Sequence, residues 1–272
     1  MNVYNYLISG NAKYGSNKEH ICKSSFNCRT SDIQENVIVA PTWGVDLFSE
    51  HVDNIRCICE CTDHKFSVSE LTLGAEKVTY IKTGACASNV LDCVLALGCT
   101  PCKNVLFIGA VGALDKNMKI GDIVIPKYSV CGVGADRYLT DESITENDSY
   151  GKKYYSNEEF SAKALKISSE MIKNNGLKCH AGKTFSVDTI FAQYAHLEEL
   201  INIGCNTIEM ETATFFHTAN VVGIKATAVL SIVDNTLSGK GIYKGKTDKD
   251  KKIIQEMKKI LMPKIALKIL LK

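Results

Sequence analysis

Four stretches of this chain set chemistry-capable side chains directly after apolar runs: TGACASN at Thr83 to Asn89, GAVGAL at Gly109 to Leu114, EMET at Glu209 to Thr212 and DNTLSGKG at Asp234 to Gly241. In open α/β sheets ligands sit beyond the carboxyl ends of the strands, so these are the positions to search. The acidic groups among them carry the most chemistry. A carboxyl held in a water-poor pocket keeps its proton near neutral pH and can act as a general acid, whereas an ionised carboxylate accepts hydrogen bonds and stabilises positive charge. Asp234, followed by Asn235, and the pair Glu209 and Glu211, which flank Met210, are groups of this kind. Each also has a plain structural reading. An Asp-Asn after a strand is a common turn or cap, a methionine is usually core, and two glutamates around an apolar residue suit a solvated strand face.

Other chemistries leave no matching pattern. GAVGAL lacks the third glycine of a dinucleotide fingerprint, and no GKS/T phosphate loop, HExxH zinc helix or GxSxG elbow occurs. The chain holds 12 cysteines, dispersed through apolar segments. In a chain long enough to bury a core without staples, they read as reduced thiols. Cys57, Cys59 and Cys61 alternate in IRCICECT, which predicts one shared face of a strand, and Cys99 and Cys102 form a lone CxxC. A zinc site would want a second pair at comparable spacing, so neither a metal site nor a bound cofactor is expected.

The elements that must position these residues follow from periodicity. Apolar runs predict strands at Asn36 to Pro41, Lys77 to Gly84, Asn104 to Gly112, Gly121 to Pro126, Gly182 to Thr189, Cys205 to Glu211 and Lys225 to Asn235. Helical spacing marks Ser88 to Gly98, Asn157 to Asn175, Tyr194 to Gly204 and Thr212 to Gly223. Strands alternating with helices are the signature of an α/β layer fold. Thr140 to Tyr155 reads as a loop too short for a linker, so residues 1–272 are expected to form one domain, with 1–35 unassigned and 248–272 a helix and tail.

At 272 residues, 45% hydrophobic and 23% charged, the composition excludes disorder, collagen and coiled coil. No run of eighteen uncharged apolar residues exists and the N-terminus lacks a secretory pattern, so a soluble, cytoplasmic protein is expected. The net charge of +2 is a tail property: Lys240 to Lys272 carries eleven lysines against Asp248, Asp250 and Glu256. An amphipathic helix there, with Ile253, Ile254, Met257, Ile260 and Leu261 on one face, is expected to dock onto the domain and to stop near Pro263. Without interleaved aromatics, neither nucleic acid nor a membrane is an expected partner.

The order VIVAP near Pro41, TGACAS, FIGAVGALDKNMKIGDIVIP (Phe107 to Pro126), GVGADRYL (Gly132 to Leu139), TFSVDTIF (Thr184 to Phe191), IEMETATFF (Ile208 to Phe216) and LSIVDN (Leu230 to Asn235) resembles the nucleoside phosphorylases of the purine nucleoside and uridine phosphorylase type, whose relatives include methylthioadenosine and S-adenosylhomocysteine nucleosidases. The resemblance spans most of the chain. It implies a three-layer α/β/α domain with a central mixed, partly barrel-like β-sheet, and cleavage of the N-glycosidic bond of a small-molecule purine nucleoside, giving free base and ribose 1-phosphate. It further implies that Asp234 protonates or hydrogen-bonds purine N7 and that Glu211 accepts from the ribose hydroxyls. Met210 would wall the sugar, Phe185 would stack on the base, and Glu209 would stand behind them or face a subunit. Asn235 is implied as a further contact, and a homo-oligomer as the assembly. These roles make chemical sense, because breaking this bond leaves an electron-poor sugar and an electron-rich base.

The phosphate-holding part of the pattern is absent. The family's Pro-Gly-Asp-Pro-x-Arg-like loop reads PTWGVD, with Thr42 for the glycine and Asp46 for the arginine, while Phe107 and Ala110 stand where an arginine and a serine are expected. The chain has only three arginines, Arg29, Arg56 and Arg137. Residual anion affinity would fall to Thr83, to Ser88 and to backbone amides from Gly84 onward, where a helix begins. Inorganic phosphate is therefore a co-substrate in doubt, with water as the alternative acceptor and a nucleoside-binding protein without turnover as a third reading. The late Asp234, and Ala195 where a uracil-reading arginine would stand, favour purine over pyrimidine.

Overall fold

The computed structural model describes residues 2–60 and 66–271. Two short helices, α1 (Val3–Lys13) and α2 (Lys18–Phe26), precede the first strand; asparagine side chains at positions 2 and 17 accept from the backbone and cap both. Then follow β1 (Asn36–Ala40), β2 (Asn54–Cys59), β3 (Ser67–Leu73), β4 (Glu76–Lys82), α3 (Ala87–Leu97), β5 (Asn104–Ala113) and β6 (Ile123–Gly132). The second half contains β7 (Lys153–Tyr155), α4 (Glu158–Ile172), β8 (Cys179–Val187), α5 (Leu197–Asn202), β9 (Thr207–Glu209), α6 (Thr212–Val222), β10 (Lys225–Asn235), α7 (Asp248–Glu256) and α8 (Met262–Leu270).

The strands form one mixed sheet in the order β10-β6-β8-β9-β5-β1-β4-β3-β2, and β10 also pairs with β5. That extra pairing closes β10, β6, β8, β9 and β5 into a five-stranded barrel, from which the remaining strands extend. Burial on both faces explains the near-continuous apolar runs. Val37, Val39, Val105 and Phe107 point into the layer holding α2, α3 and α6, whereas Ile38, Ala40, Leu106 and Ile108 point into the layer holding α4 and α8. The α/β/α layering with a partly barrel-like sheet agrees with the expectation.

Three local expectations are corrected. Cys57 and Cys59 do not share a face: the pairing of β2 with β3 shifts by one residue between them, which leaves Cys57 exposed and turns Cys59 inward. Cys61 lies outside the described residues. The C-terminal helix does not stop at Pro263, because a π-turn over Met257–Leu261 leads into α8 with the proline in its first turn, where a missing N–H costs nothing. The segment expected to be all loop ends in β7, paired with β6. Cys99 and Cys102 are buried singly, the first beside the Tyr4 hydroxyl at 3.3 Å and the second donating to the Asn104 carbonyl.

Candidate active site

Asp234 is placed by a bulge. Along β10 the pairing with β5 runs in step to Ile232, skips Val233, and resumes with Asp234 opposite Gly112. The bulge aims the carboxyl across the barrel mouth, and a Cβ at Gly112 would stand only 3.0 Å from Asp234 Oδ1, so glycine is what leaves the carboxyl its room. The side chain is 5% exposed and accepts no hydrogen bond from any described residue. Burial therefore dominates its titration and pushes it up to about 6, against an opposing pull from the positive charge of Lys246.

Glu211 stands at the start of α6, where the backbone leaves β9. Its Oε1 accepts the backbone N–H of Cys86 at 2.8 Å, tying it to the first turn of α3. Burial first, and the neighbouring Glu209 second, push it up to about 7. Glu209 is fully engaged within the protein: it accepts from the Ser186 hydroxyl at 2.5 Å, from the backbone N–H groups of Glu211 and Thr212 at 2.7 Å, and from the Thr212 hydroxyl at 2.8 Å. Two of these donors are the backbone N–H groups of Glu211 and Thr212 at the start of α6, and both oxygens of Glu209 are taken up by the protein. Burial raises its pKa, against these four donors.

Asp234 and Glu211 line the same cavity, of about 320 Å³, together with Glu209 and Met210. The other predicted residues fall outside its lining. Phe185 is buried in a satellite core with Val130, Leu200 and Ile208, and its ring packs so closely on Gly132 that a Cβ there would meet it at 2.1 Å. Asn235 is structural: its amide donates to the carbonyls of Asp115 and Met118, and its Oδ1 accepts from Ser238. Thr83 spends its hydroxyl on the Gly84 carbonyl, and the lining here begins with Ala85.

The cavity also recruits residues to which the motifs assign no role, although Ile190 lies within TFSVDTIF. Ile190 and Gln193 come from the segment beyond β8, and Ile242 and Lys246 from the loop between β10 and α7. That loop is pinned: Lys240 pairs with Asp250 at 2.7 Å, Thr247 caps α7 against the same aspartate, and Gly245 (φ 94°) lies so close to the Gly239 carbonyl that no side chain would fit. Tyr194 and Tyr243 stack loosely across the two segments, ring centroids 5.8 Å apart. The run from Ser186 to Gln193, which also resembles the uridine phosphorylases, contains both Ile190 and Gln193, but the resemblance assigns the base to Phe185, just before it. Lys246 is hidden among the lysines of the tail.

The sequence profile of the phosphorylase superfamily matches residues 37–263, most of the chain and all of the elements just described around the cavity. The chain belongs to the phosphorylase superfamily. Purine nucleoside phosphorylases of the DeoD type from Anoxybacillus flavithermus and Geobacillus stearothermophilus are each 28% identical to it over 137 residues, 50% of this chain and 54% of theirs, so the match spans about half the length of these relatives. In fold it is similar to the uridine phosphorylase of Vibrio fischeri ES114, with a TM-score of 0.72, 20% identity, and coverage of 94% of this chain and 98% of that one. It is likewise similar to the purine nucleoside phosphorylase of Toxoplasma gondii in complex with immucillin-H, with a TM-score of 0.69, 16% identity, and coverage of 89% and 94%.

Apart from its acidic residues and Lys246, the cavity wall is poor in charge. Pro41, Thr42, Ala85, Phe107 and Ala110 line it, and Phe107 packs its ring against Phe215 at 5.3 Å. Asp46 does not line this cavity; it sits on a separate surface cleft with Lys252 and Lys259. Among the described residues, Lys246 is the one cationic side chain in the lining, and it belongs with Asp234. Arg29 and Arg56 are engaged elsewhere, by Asp32 and Glu70.

Proposed function

We propose that this protein cleaves the N-glycosidic bond of a purine nucleoside, with Asp234 as proton donor to the base and Glu211 as acceptor for the sugar hydroxyls. The observation that carries the reading is the presence of both buried carboxyls, each titrating near neutrality, on the wall of one nucleoside-sized cavity. As the bond breaks, its electron pair leaves with the base and positive charge builds on the sugar. A protonated Asp234 donates to N7 and neutralises the leaving base, and an ionised Glu211, bonded to the ribose hydroxyls, stabilises the sugar. Met210 supplies an apolar wall beside it. The relatives from Anoxybacillus flavithermus and Geobacillus stearothermophilus, both purine nucleoside phosphorylases, support a purine.

We infer water as the acceptor at the anomeric carbon. Phosphate carries two negative charges and is ordinarily met by arginine, lysine or an array of amides, whereas this cavity offers one lysine, Lys246, which pulls on Asp234, and otherwise a proline, a threonine, alanines and an aromatic ring beside its carboxyls. Phosphorolysis to ribose 1-phosphate requires a cation from elsewhere. Arg137, exposed and without an ion-pair partner among the described residues, could supply one to a second copy in a homo-oligomer. Incubation with inosine, guanosine, adenosine, methylthioadenosine and uridine, each with and without phosphate, tests the reading: base release independent of phosphate supports hydrolysis, phosphate-dependent release supports phosphorolysis, and binding without release removes catalysis.

A further inference from the structure

We propose that Ser186 is a positioning residue for Glu211, acting through Glu209: its hydroxyl holds the buried carboxylate that stands beside Glu211 and, with it, the first turn of α6, at whose start Glu211 stands. The proposal rests on the reading of Glu211 as acceptor for the sugar hydroxyls and names how the protein holds that acceptor ready.

Ser129 on β6, Ser186 on β8 and Glu209 on β9 lie on three neighbouring strands of the barrel, with Ser186 opposite Glu209 in the pairing. Both serines are fully buried. Their hydroxyls meet at 3.0 Å, Ser186 reaches Glu209 Oε1 at 2.5 Å, and Ser186 Oγ also accepts the backbone N–H of Ala213 at 2.9 Å, in the first turn of α6. A hydroxyl carries one proton, so this chain can run in two senses. With Glu209 ionised, Ser186 donates to it and Ser129 donates to Ser186, and each link is 3.0 Å or shorter. With Glu209 protonated, it donates to Ser186, Ser186 donates to Ser129, and Ser129 is left with the Thr184 carbonyl at 3.5 Å, a poor bond. The first sense is the better bonded. The two backbone N–H groups on the other oxygen of Glu209 favour it further, so the chain keeps a negative charge on this carboxyl despite its burial.

Glu211 feels that charge. After burial, Glu209 is what most strengthens its hold on a proton. Asp234 on β10 and Lys246 in the loop beyond it share the cavity wall with Glu211, and Cys86 at the start of α3 meets it through the backbone N–H. A carboxylate beside a second fixed charge is the stronger base, so it accepts more strongly from the ribose hydroxyls as positive charge builds on the sugar. Without the Ser186 hydroxyl, Glu209 becomes a poorer place for charge and keeps a proton to higher pH. Its pressure on Glu211 falls, and Glu211 ionises at lower pH. The Thr212 hydroxyl shares Oε1 of Glu209 with Ser186, at 2.8 Å, so removing it acts in the same direction while the backbone bonds to the other oxygen stay in place.

The test follows the Glu211 carboxyl by ¹³C NMR in the full-length protein labelled at its glutamate side chains, the signal being assigned by its loss in Glu211→Gln. Wild type, Ser186→Ala, Ser186→Thr and Thr212→Val are titrated, alongside the pH dependence of kcat/KM for inosine. Ser186→Ala and Thr212→Val are each expected to lower the proton affinity of Glu211 about tenfold. Ser186→Thr, which keeps the hydroxyl, is expected to titrate as the wild type does, and the acid limb of kcat/KM should follow the carboxyl in every case. A Ser186→Ala protein that melts lower while Glu211 titrates unchanged makes Ser186 structural only and overturns the proposal, as does failure of both Ser186→Ala and Thr212→Val to fold. If no nucleoside is cleaved, or the acid limb stays fixed while the carboxyl titration moves, the reading of Glu211 as sugar acceptor in catalysis fails, and the carboxyl titration still decides the link from Ser186 to Glu211.

Discussion

Glu209 accepts the backbone N–H of Glu211 at 2.7 Å, so one buried carboxyl braces the other and, after burial, adds to the rise in its pKa. Replacing Glu209 by alanine strands the N–H groups of Glu211 and Thr212 at the start of α6. A loss of about 3 kcal/mol in unfolding free energy is expected, measurable by denaturant titration. Glu209→Gln keeps an acceptor but removes charge. Because Glu209 raises the pKa of Glu211, that variant should ionise Glu211 at lower pH, and the acid limb of its rate profile should move down accordingly.

Asp234→Asn should lower turnover of a purine nucleoside by about 10²-fold or more, the usual scale for a lost general acid, with a smaller effect on binding. The same change should stabilise the fold at alkaline pH. Asp234 binds its proton more tightly folded, near 6, than unfolded, near 3.8, so the native state becomes less stable as pH rises through that window and carries the full penalty above it. The penalty is on the order of 3 kcal/mol. Thermal melts of both proteins at pH 4 and pH 8 check it: the gap in favour of Asp234→Asn should open only at the higher pH.

The pH dependence of kcat/KM should be bell-shaped. Asp234 must hold its proton and Glu211 must lose its own; with Asp234 near 6 and Glu211 near 7 the form that meets both needs is a minority one, most populated between pH 6 and 7, so activity falls below about 6 and above about 7. Asp234→Asn should abolish the alkaline limb in whatever activity remains. A profile flat from pH 5 to 9 would remove both groups from the rate-determining chemistry.

Cys86 adopts φ 90° and ψ 147°, a backbone region where side chains are strained, while its N–H holds Glu211. Such strain costs on the order of 1–3 kcal/mol, and glycine relieves it at an entropic cost of about 1 kcal/mol. Cys86→Gly should therefore melt at or above the wild-type temperature, whereas Cys86→Val should melt below it. The reverse order would show that the strain is not there.

Much of this arrangement could be read from the chain. Strands buried on both faces betray themselves by unbroken apolar runs, which located β1, β5 and β10 to within a residue or two, and the rule that ligands gather past strand ends singled out Glu211 and Asp234, which line one cavity. What failed was side-chain direction. Phe185 and Ile190 both belong to TFSVDTIF, and only the path of β8 beyond Val187 decides which of them meets the cavity. Asn235 looks like a ligand contact until its amide is seen bracing Asp115 and Met118. Lys246 reaches the site through a loop closed by distant contacts, and Cys57 is turned out by a bulge that alternation cannot reveal.

The most direct measurement is a crystal structure with a bound purine nucleoside. The account places the ribose hydroxyls within hydrogen-bond distance of Glu211, and N7 within hydrogen-bond distance of Asp234, on one ligand. A nucleoside bound elsewhere, or bound here with either carboxyl out of reach of it, would contradict the account.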